Sequence, residues 1–467
     1  MFSQAEIQSL HETLRGPLLF PDDADYDEVR RIHNAMIDRR PCLIARCAGV
    51  ADVIALVRFA RERNLPVSVR GTGHNVAGTC VCDGGMMIDL SQMKGIHVDP
   101  AARTARVEAG VTWAEFNHEL HPFGLAATGG FVGTTGVAGL TLGGGLGWMV
   151  RKHGLALDNL LSADVVTADA QFLVANPTEN RDLFWGIRGG GGNFGIVTSF
   201  EFKVHPVGTV FAGLVLHPLS QGRDALRHMR EFEDTSPQDF TNSAVIFNPP
   251  AGLPVPEILH REGIVGLGGV YVGALEDAER ILHPLRSFGP PVADTFQPMP
   301  YRAAQTMADF LWPRGSYNYW KSSYLKALTD DAIETILKFV SIAPSKRTVV
   351  VIEHNGDGAI EHVRDDETAF PHRHLPWDIL VTAVWTNASE SDANIRWTIE
   401  FWEAMRPYLS DAVYVNYLGE EGQDRVRAAY GTKYERLVAL KDKYDPTNFF
   451  RMNQNIKPSG AEVKALA

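Results

Sequence analysis

One histidine stands where chemistry could be done. His74 lies in Arg70-Gly71-Thr72-Gly73-His74-Asn75, directly after the short run Val67-Ser68-Val69. Such a β-rich run reads as a strand. Glycines at 71 and 73 permit positive φ and leave no side chain in a ligand's way. Successive N–H groups in a turn of this kind form a concavity that suits an anion such as a pyrophosphate. His74 would then be held against whatever the turn binds. Two carboxyls also stand out. Asp378 precedes the apolar run Ile379-Leu380-Val381, and Glu353 ends Val349-Val350-Val351-Ile352. An acid in a strand is costly to bury without a partner. Each is therefore a candidate base or a counter-ion for an amine, although a strand-end carboxylate such as Glu353 is more often simply solvated.

The elements that must position these groups follow from patterning. Ala51 to Asn64 reads as a helix, with Val53, Leu56, Val57 and Ala60 at helical spacing. Met86 to Leu90 and Arg103 to Glu108 read as strands. Thr112 and Glu115 form a capping box that opens a short helix. Gly190, Gly192 and Gly195 match the letters of a dinucleotide fingerprint. The strand-like run Ile196 to Phe202 follows, however, where that fingerprint needs a helix. The glycine clusters read instead as backbone brought close to a large flat cofactor at several places. Pro206 and Gly208 break the chain near 205. Beyond them, Val210 to Leu216, Gly263 to Val272, Val349 to Glu353 and Ile379 to Trp385 are predicted strands. Glu276 to Ser287 and Thr329 to Val340 are predicted helices. That alternation suits an antiparallel sheet covered by helices. The last few residues read as a frayed tail.

In register, these motifs resemble the berberine-bridge-enzyme-like flavoproteins of the vanillyl-alcohol-oxidase/PCMH superfamily. The resemblance rests on the Arg70 to Asn75 turn, Gly136-Val137-Ala138-Gly139, Gly143-Gly144-Gly145-Leu146-Gly147, and Lys152-His153-Gly154-Leu155 with Asp158-Asn159. It rests also on Gly189 to Val197 and on Asp445-Pro446 through Asn453-Gln454-Asn455-Ile456-Lys457-Pro458. The pattern is most similar to bacterial members with a single histidyl link. The resemblance implies an α+β fold: a PCMH-type FAD-binding domain of two α+β subdomains, made of residues 1–205 with a C-terminal return segment 410–467, and a substrate domain (206–409) with an antiparallel sheet covered by helices. It implies FAD bonded through its 8α-methyl carbon to His74. Arg70, Gly71, Thr72, Gly73 and Asn75 would contact FAD around that link. So would Gly129, Val132, Gly133, Gly136, Val137, Gly139, Leu140, Gly143, Gly144, Gly147 and Asp158. Gly195, Ile196, Val197, Asn453 and Asn455 complete the implied set. Many relatives carry a cysteine as a second tether; Val132 holds that slot here, which implies one tether only.

The resemblance also bears on catalysis. Tyr417 in Tyr414-Val415-Asn416-Tyr417 matches a tyrosine that serves several relatives as general base. A free phenol titrates near 10, so positive charge or a short hydrogen bond must lower it. In a regular strand Tyr414 shares a face with Asn416 and not with Tyr417, which makes it the weaker candidate. Tyr417, Asp378 and Glu353 are the three expected catalytic residues. Trp320, Lys321 and Tyr324 could border the pocket, with core packing expected for Trp320.

Composition narrows the rest. The chain has 467 residues, a net charge of −12, 45% hydrophobic and 21% charged residues. A strongly acidic balance argues against a nucleic-acid partner. No apolar run reaches the ~20 residues that span a bilayer. The first residues lack a signal-peptide pattern, and four cysteines make no disulfide framework, so a cytoplasmic protein is expected. Cys80-Val81-Cys82 lacks the partner pair a zinc site needs, and no metal is expected. The expected function is hydride transfer from a carbon bearing O–H or N to FAD, with dioxygen as acceptor and a small organic substrate, in a monomer or homo-oligomer. A carbohydrate oxidase of the same family and a non-catalytic flavoprotein that sequesters a drug-like ligand are the alternatives.

Overall fold

A computed structural model describes residues 3–460; the expected frayed tail lies outside them. Two small sheets precede residue 205. In one, Leu18–Leu19, Leu43–Arg46, Met86–Asp89 and Val67–Arg70 lie in that order. Met86–Asp89 pairs in parallel with the strand on either side. The helix Val50–Glu62 packs Val53, Leu56, Val57 and Ala60 inward, as its spacing predicts. The second sheet is antiparallel, in the order Ile96–Asp99, Thr104–Glu108, Ile196–Lys203, Leu160–Val166, Phe172–Ala175. Thr112 and Glu115 close the predicted capping box on the helix Trp113–Leu120. Gly191–Asn193 is a single 3-10 turn leading into the strand Ile196–Lys203, so no dinucleotide-type helix follows these glycines.

An eight-stranded antiparallel sheet fills the middle of the chain. Its path runs Ala293–Asp294, Thr209–Pro218, Ile264–Tyr271, Phe240–Phe247, Val349–His354, Trp377–Trp385, Tyr317–Leu325, with Gln297–Pro300 beside Thr209–Pro218. The four central strands are buried on both faces, so Ile264–Tyr271, Val349–His354 and Trp377–Trp385 read as largely apolar runs rather than alternating ones, while Phe240–Phe247 buries Thr241, Asn242 and Ser243 as well. The alternation survives in what each face meets. Val350 and Ile352 pack with Leu226, Met229, Ile333, Ile336, Trp397 and Phe401 of the covering helices. Val349 and Val351 join the other side with Val245, Leu380 and Trp312. Register places Ser243, Glu353, Asp378 and Tyr324 in one row across four strands of that second side.

The chain then returns to its first half. One apolar core draws on residues from Leu10 to Val204 and again from Val413 to Ile456, with Ala369 between. The return is pinned by Lys441, which is fully buried. Its ammonium donates to Asn193 O at 2.8 Å, Phe450 O at 2.9 Å and Asp445 Oδ2 at 2.6 Å. Asn193 in turn donates to Gln454 O and accepts from Ile456 N. Among the described residues, no helix is long and apolar enough to cross a membrane.

Lys441→Met should strand the buried Asp445 charge and cost roughly 3–5 kcal/mol. A lowered urea midpoint at unchanged slope would register it.

Candidate active site

The two halves enclose one cavity of about 320 Å³. Its wall comes from the turn after Val67–Arg70, from residues 130–148, from 191–197, from the second side of the large sheet, and from the return segment. His74 lines it. The His74 ring stacks on His33 at 4.0 Å between centroids and 25° between planes. Its Nε2 lies 3.3 Å from Thr134 Oγ1. Burial and then the neighbouring His33 push the imidazole down to about 3, so the ring is neutral.

The glycines divide into two kinds. Gly145 has φ +101°, and a Cβ there would lie 2.3 Å from the Ala156 Cβ. At Gly147 a Cβ would lie 1.6 Å from Gly129 O, and at Gly129 2.4 Å from the Trp113 ring. These positions let protein approach protein. Gly139 and Gly192 instead line the cavity, and a Cβ on either would meet nothing within 4 Å. Asn453 also lines it, with a buried Oδ1 that has no hydrogen-bond partner among the described residues. An open backbone cradle, an unpartnered amide oxygen and a neutral imidazole together fit a flat, polar-edged cofactor such as FAD.

The cavity receives Gly71, Thr72, Gly73, His74, Asn75, Val132, Gly136, Gly139, Leu140, Gly143, Gly195, Ile196, Val197 and Asn453, together with Glu353 and Tyr417. Other expected contacts lie elsewhere, for physical reasons. Arg70 is buried in a two-pronged pair with Asp89. Asp158 pairs with Arg373 at 2.7 Å and 3.0 Å and accepts from Leu155 N. Gly133 donates its N–H to Asp309 at 2.6 Å. Val137 is wholly in the core. Gly129, Gly144 and Gly147 face neighbouring protein atoms. Asn455 is outside the cavity wall, although its Oδ1 too is unpartnered.

On the large sheet, beside the same cavity, the acids meet. Burial raises the Glu353 carboxyl to about 7, against hydrogen bonds from Asn355 and Tyr417 that lower it. Asp378 lies opposite it on the adjacent strand, and is fully buried. Burial and the Glu353 charge hold the Asp378 carboxyl well above its ordinary range, with one 3.4 Å contact from the Ser322 hydroxyl. Asp378 thus backs Glu353 rather than lining the cavity. The help expected for Tyr417 is missing. Its hydroxyl donates to Glu353 Oε1 at 3.3 Å. Burial, then Glu353 and Asp378, push the phenol well above 10, because its neighbours are acidic and not basic.

The Tyr414 to Tyr417 segment is no strand either; Val415–Tyr417 forms one 3-10 turn. Tyr414 anchors the glycine loop, its oxygen accepting from Gly145 N at 2.7 Å and Leu146 N at 3.4 Å. Trp320, expected in the core, lines the cavity edge-on to Tyr417. Lys321 is turned to Glu421 at 2.6 Å. Phe131, Trp312, Asn416 and Gln454 line the cavity without having been singled out. Asn416 and Gln454 lay inside motifs already quoted, so adjacency was a usable signal; Trp312 offered none.

Two family models match the chain: "FAD binding domain" over residues 41–176 and "Berberine and berberine like" over 413–457. An FAD-linked oxidoreductase of Dictyostelium discoideum is 32% identical over 449 residues, covering 96% of each chain. The chain belongs to the berberine-bridge-enzyme-like FAD-linked oxidoreductases. The (R)-6-hydroxynicotine oxidase of Paenarthrobacter nicotinovorans is 31% identical, over 96% of this chain and 98% of its own. The crystal structure of 6-hydroxy-D-nicotine oxidase from Arthrobacter nicotinovorans superposes with a TM-score of 0.86 at 29% identity, covering 96% and 98%. The fold is accordingly the α+β, PCMH-type arrangement that the motifs implied, and the protein is an oxidoreductase.

Tyr414→Phe should leave the buried Gly145 N–H without an acceptor, costing about 1–3 kcal/mol. Thermal denaturation of the flavin-loaded protein, read alongside the flavin it retains, tests this.

Proposed function

We propose that this flavoenzyme oxidises a small, largely apolar organic substrate at a carbon bearing a hydroxyl or an amine, with Glu353 as the general base. The carrying observation is the carboxyl of Glu353: it is raised to about 7 in the same cavity as His74. A base poised near the working pH is the efficient one. Tyr417 donates its O–H to Glu353 and so orients that carboxyl. Asp378, held protonated, keeps a second negative charge away from Glu353. Trp312, Trp320, Val245, Val351 and Leu380 shape the end around Glu353 and exclude water. That apolar lining favours an aromatic or alkaloid-like substrate over a sugar, whose hydroxyls would need polar partners. Activity of the relative named (R)-6-hydroxynicotine oxidase fits the same class. A sequestering role would leave the raised carboxyl of Glu353 without use.

His74 is proposed as the single covalent tether, its neutral ring being the form that can bond to carbon. Val132, buried at the cavity wall, takes no part in a second link. FAD, when bound, supplies a two-electron acceptor for the hydride, and dioxygen is the proposed final acceptor. Residues 1–205 and 410–467 are assigned to cofactor binding, and 206–409 to the substrate. The four free cysteines support a cytoplasmic placement.

A substrate screen reading peroxide release tests the reaction. Glu353→Gln should lower kcat/KM by about 10²–10⁴ while the flavin stays bound. In the parent protein kcat/KM should climb as pH rises through about 7 and then level. Stability should run the other way. The folded carboxyl binds its proton more tightly than the ordinary 4.5, so stability falls as pH rises from 4.5 to about 7. Glu353→Gln should flatten that decline; an unchanged slope would contradict the assignment. His74→Ala should release the yellow colour on acid precipitation, where the parent protein keeps it in the pellet.

A further inference from the structure

The His74 ring has a neighbour that the reaction does not use. His33 follows the short helix Tyr26–Arg30 and is buried, at 6% exposure. Its backbone is latched on both sides. His33 N donates to Gly73 O at 2.9 Å, and His33 O accepts from Gly315 N at 3.0 Å. The next residue, Asn34, donates to Val76 O and to Asn318 O, and accepts from Asn318 N. The strip is thus stitched to the His74 turn on one side and to the large-sheet half on the other. The His33 ring lies flat on the His74 ring at 4.0 Å. Its Nε2 is buried with no hydrogen-bond partner among the described residues. A polar atom left so is costly, and the contact this ring makes with His74 is a face, not a nitrogen.

We infer that His33 is a positioning residue for cofactor tethering: its ring face, with the Thr134 hydroxyl at Nε2, fixes the plane of the His74 imidazole toward the 8α-methyl group of FAD. This rests on the proposed His74 link. In that step one methyl C–H bond and the His74 N–H bond break, and one C–N bond forms. The two protons and two electrons released pass to dioxygen, giving hydrogen peroxide. The chain's own part is geometric. A ring free to turn about its side-chain torsions meets the carbon in few of its orientations, and loss of such alignment slows a bond-forming step on the order of tenfold to a hundredfold.

The test uses the full chain produced with limiting flavin and then given FAD. Two readouts are followed: total flavin bound before denaturation, and flavin retained in the acid-precipitated pellet over time. His33→Leu keeps apolar volume but offers no flat face. It should bind FAD at the parent's stoichiometry while the pellet colours about tenfold more slowly. His33→Phe restores a flat face and should restore the rate to within about twofold. Leu matching the parent rate, or Phe as slow as Leu, overturns the inference. If the parent protein itself leaves all its flavin in the supernatant, the tether reading fails and this inference falls with it. If the parent tethers and His74→Ala does not, the tether stands and the two His33 variants alone decide.

Discussion

Two carboxyl groups side by side on neighbouring strands, away from water, cannot both carry charge. Glu353 and Asp378 are such a pair, and much of the site is arranged around them. The covering helices seal one side of the sheet with apolar residues. Ser243 and Tyr324 extend the row sideways without bringing a cation. Tyr417 reaches in from the return segment to donate one hydrogen bond. The result is a proton held near neutral pH by surroundings that a solvated strand end would never provide. The same surroundings push the phenol of Tyr417 beside it well above 10.

Much of this was legible in the residues themselves. The helix over Val50–Glu62, the Thr112 capping box and the strands at 196, 264, 349 and 377 follow from local spacing, and the structure has them. Glu353 and Asp378 were each conspicuous as acids in apolar runs. Their pairing was not, because it depends on the register between Val349–His354 and Trp377–Trp385, which neither run's own letters specify. The β-rich letters of Tyr414 to Tyr417 suit an extended segment and do not reveal the single 3-10 turn Val415–Tyr417. Arg70 and Asp158 sat in motifs that suggested a ligand, yet each satisfies its charge inside the protein.

The glycines teach a related lesson. A run such as Gly143 to Gly147 invites one explanation for every member. The structure divides them: some admit a neighbouring backbone or ring, as Gly147 admits Gly129 O, while others such as Gly139 leave a clear floor in the cavity. Letters alone cannot separate the two, because both demand the absence of a side chain. What separates them is which element lies opposite, and for Gly144 that element is Tyr414, 270 positions away in the chain.

That distance carries a consequence for how the molecule is born. His74 emerges from the ribosome 380 positions ahead of Gln454, an interval of roughly 20–80 s at ordinary rates of synthesis. Through most of it, the walls supplied by Tyr414, Asn416, Tyr417 and Asn453 do not yet exist. Loading with the vitamin-derived group is therefore a late event in biogenesis, gated by the arrival of Lys441 and the strap it fastens, and a nascent chain has nothing complete to offer it earlier.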